Sequence, residues 1–491
     1  IKRKEKGEFM ANLVKKLGFW SIVLYGINSI IGTGIFLTPG GVIKVAGTYA
    51  PISYLIAAVF AIILATVFAT AAKYVKKNGA GYAYITEAFG EKAGIYVGIT
   101  RALGAAIAWG IMATFVTKTV FDIFIKGMKD NPNKELYYFI GLLVLVGILL
   151  LINLFGNRIF EIINNISTIG KVGALILFIV AGLIIVMTTQ NNFAEAAIPF
   201  NKAAGTGAYL PTSLMLFGYI EVIGKSPLAG VIMGTIFSLY AFTGFESIAS
   251  AAEEMEEPDK TLPRAIPITI GIVATVYVLV VVVGMMLGSE SIVNSKETVG
   301  LASAISQPML KQLVVLGAVV SMFGINVAAS FGAPRAFTAL ADNGVLPQII
   351  TKKNKYGVPA IAFIITVVFA LAFPLALHFD TTALIGLGVI IRFIQYTLVP
   401  LAVIKMASSK DAKWRHIVRS KLTEYVLPII GFILSIILVL VYNYKGLIYA
   451  KTPDGVEYLN KLSINFLIIF FLIVPIFAYA YYYMIGKKNT K

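Results

Sequence analysis

Apolar runs long enough to cross a lipid bilayer recur along the whole of this 491-residue chain, and nothing else constrains its fold as strongly. Hydrophobic residues make up 58% and charged residues 13%, whereas about a quarter of a soluble domain is charged. A water-facing surface of this size cannot be covered with so few charges. The runs predict about twelve helices, at roughly 19–43, 51–75, 93–125, 136–156, 161–188, 227–252, 265–287, 312–341, 358–377, 382–405, 425–443 and 464–486. The expected fold class is therefore an all-α polytopic membrane protein.

Lysine and arginine in the connections set the orientation. With the N-terminus inside, cytoplasmic segments carry about 25 of the 41 Lys+Arg and outer loops about 11. The densest group is Lys405, Lys410, Lys413, Arg415, Arg419 and Lys421. The net charge of +17 is therefore topological, which argues against a nucleic-acid partner. The expected organisation is a cytoplasmic tail (1–18), spans one to five (19–188), an outer loop (189–226), spans six to ten (227–405), a basic cytoplasmic loop (406–424), two further spans (425–486) and a short tail (487–491). Both termini are expected on the cytoplasmic side of a plasma membrane. Residues 1–16 are basic and run into the first span without a small-residue cleavage site, so they read as a tail. Leu13, Val14 and Leu17 either form a short interfacial helix or belong to a solvated tail. The outer stretch from about Gln190 to Pro227 has room for a short surface helix.

Several chemistries are excluded early. Cysteine is absent, which removes disulfides, thiolate metal sites and cysteine nucleophiles. Two histidines, His378 and His416, leave little room for a histidine-built metal site. No triad or metal cluster suggests itself, so neither an enzyme nor a cofactor is expected. A filter-like segment, which an ion channel would need, is not evident either.

Two of the spans are unlike the rest. The first holds Asn28-Ser29-Ile30-Ile31-Gly32-Thr33-Gly34-Ile35-Phe36 at mid-span, and the sixth holds Tyr240-Ala241-Phe242-Thr243-Gly244-Phe245-Glu246. Glycine is poor inside helices and permits unusual backbone angles. Unwound backbone at membrane depth is tolerated where it is buried or lines a cavity. Free N–H groups of a half-helix hold an anionic group and free C=O groups hold a cation, which suits the two charges of an amino acid. Gly34 and Gly244 lie 210 positions apart, and each opens a set of five spans. Because five is odd, the second set is inverted relative to the first. Inverted repeats with matching broken helices point to a transporter. Gly32 and Gly34 taken alone are equally compatible with close helix packing.

Charges inside the spans are costly and face a cavity or a partner. Glu246 is open to three roles: substrate contact, proton carrier or structural hydrogen-bond acceptor. Lys171 lies ten residues past Glu161, about 15 Å along a helix. It either snorkels toward the inner surface or supplies an ammonium in place of a bound sodium ion, exchanging its proton during transport. Arg101, Lys118 and Arg392 are expected near helix ends or paired within the bundle, with Asp122 one turn from Lys118. Arg335 is expected to anchor the cytoplasmic end of the eighth span.

These segments resemble the amino acid–polyamine–organocation superfamily of permeases. Ile30-Ile31-Gly32-Thr33-Gly34-Ile35-Phe36 resembles its first broken helix. Gly79-Ala80-Gly81-Tyr82-Ala83-Tyr84 with Glu87-Ala88-Phe89-Gly90 resembles its second-to-third helix loop. Phe242-Thr243-Gly244-Phe245-Glu246, with Glu253-Glu254 and Pro258 to Pro263, resembles its sixth helix and the loop after it. Arg335 with Ala341-Asp342-Asn343-Gly344-Val345-Leu346-Pro347 resembles the end of its eighth helix, with Asn343 where aspartate is also common. The resemblance implies a five-plus-five inverted repeat with two extra C-terminal helices. It also implies that backbone N–H groups of Thr33 and Gly34 take the substrate carboxylate. The ammonium would meet carbonyls near Ile30, Ile31, Tyr240 and Thr243, with Gly32 and Ala241 in the same segments. Tyr240 would be an aromatic gate. Lys171 falls where proton-coupled members carry a lysine, with Ser330 as a loosely placed eighth-helix neighbour.

The expected function is alternating-access transport of an amino acid, proton-coupled and sodium-independent. With Glu246 as the one clear charged pocket residue, the reading leans toward neutral side chains. An amino acid or polyamine exchanger is the alternative, followed by an inorganic cation transporter or channel of the same fold. The sequence does not set the oligomeric state.

Overall fold

The computed structural model describes residues 18–75, 81–125, 127–154, 157–188, 212–246, 248, 255, 257–295, 299–354, 359–411, 414, 420–451 and 456–487. Among them, nine helices are long and apolar enough to cross a membrane, and Phe19–Ile30, Pro227–Phe242 and Ala360–Ala376 are shorter apolar helices. The chain is an all-α polytopic membrane protein. In chain order the elements are α1 (Phe19–Ile30), α2 (Gly34–Ala46), α3 (Ala50–Tyr74), α4 (Gly81–Phe89), α5 (Glu91–Phe124), α6 (Lys134–Leu154), α7 (Asn157–Thr188) and a hairpin of β1 (Leu214–Leu216) and β2 (Ile220–Ile223). There follow α8 (Pro227–Phe242), α9 (Pro258–Val293), α10 (Pro308–Asp342), α11 (Ala360–Ala376) and α12 (Thr381–Ser408). Two further apolar helices, Leu422–Val441 and Lys461–Gly486, flank a small hairpin of Tyr449–Lys451 and Glu457–Leu459.

The surface fits a lipid setting. On α6, Ile140, Val144, Ile148 and Leu151 are exposed at helical spacing, a stripe that water would penalise and hydrocarbon does not. Helix starts follow local chemistry. Ser226 accepts from the Ala229 N–H ahead of Pro227, the Gln307 side chain accepts from Leu310 N–H ahead of Pro308, and Asp380 accepts from Ala383 N–H. Each supplies an acceptor to a first-turn donor that has no partner within its helix.

Two packed groups surround the centre. Helices α1, α2, α3, α8 and α9 pack among themselves, with α2 on α8 and α3 on α9. Helix α10 packs on α5 and α7, and α5 also carries α11 and α12.

Several boundaries differ from the sequence expectation. The first expected span is two helices, α1 and α2, and the sixth stops as α8 at Phe242. Gly81–Phe89, read as loop, is a helix of its own packed against α5. Residues 189–211 of the outer stretch lie outside the described residues. The room for a short surface helix falls largely on those residues; the described part forms the β1–β2 hairpin, with the chain reversing at Gly218 (φ +81°). The 1–17 tail with its interfacial-helix reading, Gly79, Ala80, Glu253, Glu254, Lys413, Arg415 and Arg419 also lie outside the described residues.

Candidate substrate site between the broken helices

Helix α1 ends at Ile30, Ile31 turns extended (φ −70°, ψ 101°), and α2 restarts at Gly34. Helix α8 ends at Phe242, Thr243 is extended (φ −61°, ψ 145°) and Gly244 takes φ +112°. Both interruptions free backbone groups at the same depth, and the two face each other. A Cβ on Gly34 would lie 2.4 Å from Ala241 Cα, and one on Gly244 would lie 2.2 Å from the Ser29 carbonyl oxygen. Glycine is required at both positions because backbone meets backbone.

A buried tyrosine ties the breaks together. Tyr277 of α9 donates to the Ala241 carbonyl at 3.1 Å and to the Ile30 carbonyl at 3.3 Å. These are carbonyls without a helical partner beyond the break. Tyr277→Phe removes the donor while keeping the ring. The expected cost is about 1–3 kcal/mol for buried acceptors left short, read as a lower unfolding midpoint in detergent with helix content unchanged.

The breaks open onto a cavity of about 560 Å³. Of the site residues expected from sequence, Ile30, Gly32, Thr33, Gly34, Tyr240, Thr243, Glu246 and Lys171 line it. Ile31 and Ala241 are buried in the joint between the helices and are not on its wall. Thr33 Oγ1 lies 3.4 Å from the Tyr240 hydroxyl, which places the ring over the break in the first span. Ser330, expected beside Lys171, instead accepts from Asn153 Nδ2 at 2.8 Å and donates to the Val327 carbonyl, off the cavity wall. Its helix reaches the cavity through other residues, mostly small ones such as Gly324, Ala328 and Ala329, together with Ile325 and Phe331.

Glu246 folds back on its own break. Its Oε2 accepts from Gly244 N–H at 3.0 Å and from the Tyr396 hydroxyl at 3.5 Å, while Oε1 lies 3.4 Å from Arg392 Nε. Of the three roles open to it, these contacts are those of a structural acceptor, on a residue that also faces the cavity. Lys171 is 2% exposed, and its Nζ donates to the Asn28 carbonyl at 2.6 Å. The ammonium is thus held against the end of α1, which is not a snorkelling geometry.

The charge content of the wall differs from the sequence expectation. Arg101 and Arg392, placed near helix ends or in bundle pairs from sequence, both line the cavity. The premise for a neutral side chain, that Glu246 is the one charged pocket residue, no longer holds. A signal was present: Arg101, Ala105, Ala108 and Met112 follow a helical stripe, and all four face the cavity. Lys118 takes no part in this site. It donates to the Phe379 carbonyl at 2.9 Å and to Thr381 Oγ1 at 2.8 Å, at the turn before α12. No group of three or more metal-ligating side chains occurs among the described residues.

Two interrupted helices meeting over a buried polar cavity, inside a helical membrane protein, define a solute permease. The profile of the amino acid permease family matches residues 17–478, nearly the whole chain, and the protein belongs to that family, within the amino acid–polyamine–organocation superfamily. The chain is 48% identical to an uncharacterised transporter of Mycobacterium tuberculosis, over 97% of this chain and 96% of the relative. It is 26% identical to the branched-chain amino acid permease BcaP of Lactococcus lactis, over 90% of this chain and 91% of that one. It is 24% identical to mouse cationic amino acid transporter 4, over 84% of this chain and 62% of the relative. It is a transporter and not an enzyme.

Proposed function

We propose that this amino acid permease is a proton-coupled, sodium-independent secondary transporter in the plasma membrane, working by alternating access around the joint between its broken helices. The arrangement that carries the reading is the pairing of two unwound segments over a cavity, with Lys171 bonded to the carbonyl of Asn28 where the first segment begins. Backbone N–H groups at the start of α2, Thr33 and Gly34, take the substrate carboxylate. Carbonyls at the two breaks, of Ile30, Ile31, Tyr240 and Thr243, receive the ammonium. The helix group containing both breaks then rocks against the α5, α10 and α11 group, in a twelve-helix, five-plus-five inverted repeat with both termini cytoplasmic.

Protonated Lys171 supplies at the end of α1 the positive charge that a sodium ion would otherwise supply. Loss of its proton weakens the hydrogen bond to Asn28 and releases α1 to move. Exchange is the second reading, favoured by the 2.6 Å bond, which suits a lysine that stays protonated throughout the cycle.

Uptake of a labelled amino-acid mixture into sealed proteoliposomes, with and without an imposed inward proton gradient, separates the two. Accumulation that follows the gradient and ignores sodium is the expected result. Uptake confined to preloaded vesicles would establish exchange instead, and no uptake of any amino acid would sink the substrate assignment.

A further inference from the structure

The cavity carries more positive charge than a zwitterion needs. Among the described residues that line it, the ionisable groups besides tyrosines are Arg101, Lys171, Arg392 and Glu246. Glu246, the one carboxylate among them, already accepts from the Gly244 backbone, Tyr396 and Arg392. Arg392 commits its Nε to Glu246 and one terminal nitrogen to the Gly388 carbonyl of its own helix. Its other terminal nitrogen, with two N–H groups, has no acceptor among the described residues. Arg101 lines the cavity from α5, on the stripe that continues through Ala105, Ala108 and Met112, and its charge also acts on Glu246.

Guanidinium groups at membrane depth are costly, and they serve where a carboxylate or phosphate is to be gripped by a planar fork. The α-carboxylate of a substrate is provided for by the N–H groups at the start of α2. The two arginines therefore lie beyond the needs of the backbone clamp. A substrate with a cationic side chain would bring a further positive charge against a partly buried wall that already carries three, where like charges repel more strongly than in bulk water. A side-chain carboxylate would instead balance the wall and take charge-assisted hydrogen bonds from it.

We infer that the cavity selects substrates with a second carboxylate, an acidic amino acid, through Arg101 and the uncommitted end of Arg392. This rests on the reading of the protein as an amino acid transporter and names the side chain it prefers. Arg101 is the specificity-determining residue. Arg392 serves both the substrate and Glu246, so its replacement also loosens the break in α8.

Glutamate and glutamine have nearly the same shape and differ in charge, which makes them the test pair. With the full-length protein in sealed proteoliposomes at neutral pH, uptake of labelled glutamate is expected to exceed that of glutamine by at least about tenfold, with excess lysine a poor competitor. Arg101→Gln is expected to lower the glutamate-to-glutamine ratio of Vmax/KM by about tenfold or more, and Arg101→Lys to restore part of it. Should Arg101→Gln fail to fold, thermal unfolding of the wild-type protein in detergent gives the same comparison, with glutamate expected to stabilise and glutamine to do so less. Wild-type uptake of glutamine or lysine equal to that of glutamate overturns the inference while leaving amino acid transport standing. Equal stabilisation by glutamate and glutamine overturns it as well. No uptake of any amino acid removes both readings together.

Discussion

Lys171→Met is expected to reduce proton-driven accumulation of substrate to the level reached without a gradient. A pH unit corresponds to about 1.4 kcal/mol, so an inward gradient of two units supports up to about 100-fold accumulation per proton carried. The variant should collapse that factor to about one. Methionine keeps the length and the apolar stem of lysine, so the 2%-exposed position stays filled and the helix packing should survive. What disappears is the ammonium and its 2.6 Å bond to the Asn28 carbonyl. The measurement is labelled-substrate accumulation at imposed gradients of zero, one and two pH units. A gradient-dependent slope surviving in the variant would remove Lys171 from the coupling mechanism and move attention to Glu246.

The second large effect lies in the backbone. Gly244→Ala is expected to cost about 3 kcal/mol or more and to abolish transport, by two independent routes. The φ of +112° is one that residues with a Cβ rarely adopt, and that Cβ would sit 2.2 Å from the Ser29 carbonyl oxygen. The obstacle is main chain, so no rotamer change relieves it. Gly41→Ala provides the contrast. It lies inside α2, and a Cβ there meets no heavy atom within 4 Å. Alanine at an interior helical site is favoured over glycine by up to about 1 kcal/mol, so that variant should fold and transport. Equal thermal stability of the Gly244 variant and the parent protein would mean the break in α8 has a different geometry from the one described.

Much of the architecture was legible because its signals are local. Spans show as apolar runs, and the two breaks show as glycines among small hydroxyl residues, so α1 ending at Ile30 and α8 at Phe242 fall within the segments expected to unwind. The exact extent of the helices was less legible. Gly81–Phe89 reads as a connection because nine residues between glycines give too little periodicity, and strands of three or four residues such as Leu214–Leu216 give none.

The polar content of the site was harder to read, since it depends on partners far apart in the chain. Tyr277 sits in an apolar run and looks like packing until Ile30, 247 positions away, is seen beside it. Arg101 and Arg392 read as helix-end or bundle-paired residues, and Arg392 does pair with Glu246; that both also face the cavity was hidden because distance along a span does not say which neighbour a side chain meets. Ser330 was placed by its helix alone, and a rotation of one residue separates the cavity wall at Ala329 from the contact with Asn153.

The geometry of Tyr277 bears on how easily the protein changes state. A phenol carries one hydrogen, yet two carbonyls stand within reach of it, at 3.1 and 3.3 Å on separate helices. The proton can pass from one acceptor to the other at almost constant energy, because a bond lost on one side is regained on the other. On the alternating-access cycle proposed above, a hydroxyl that lost the Ile30 carbonyl as α1 moved would still have that of Ala241 within reach. The joint is built like a bearing whose contact can slide from one surface to the other without breaking.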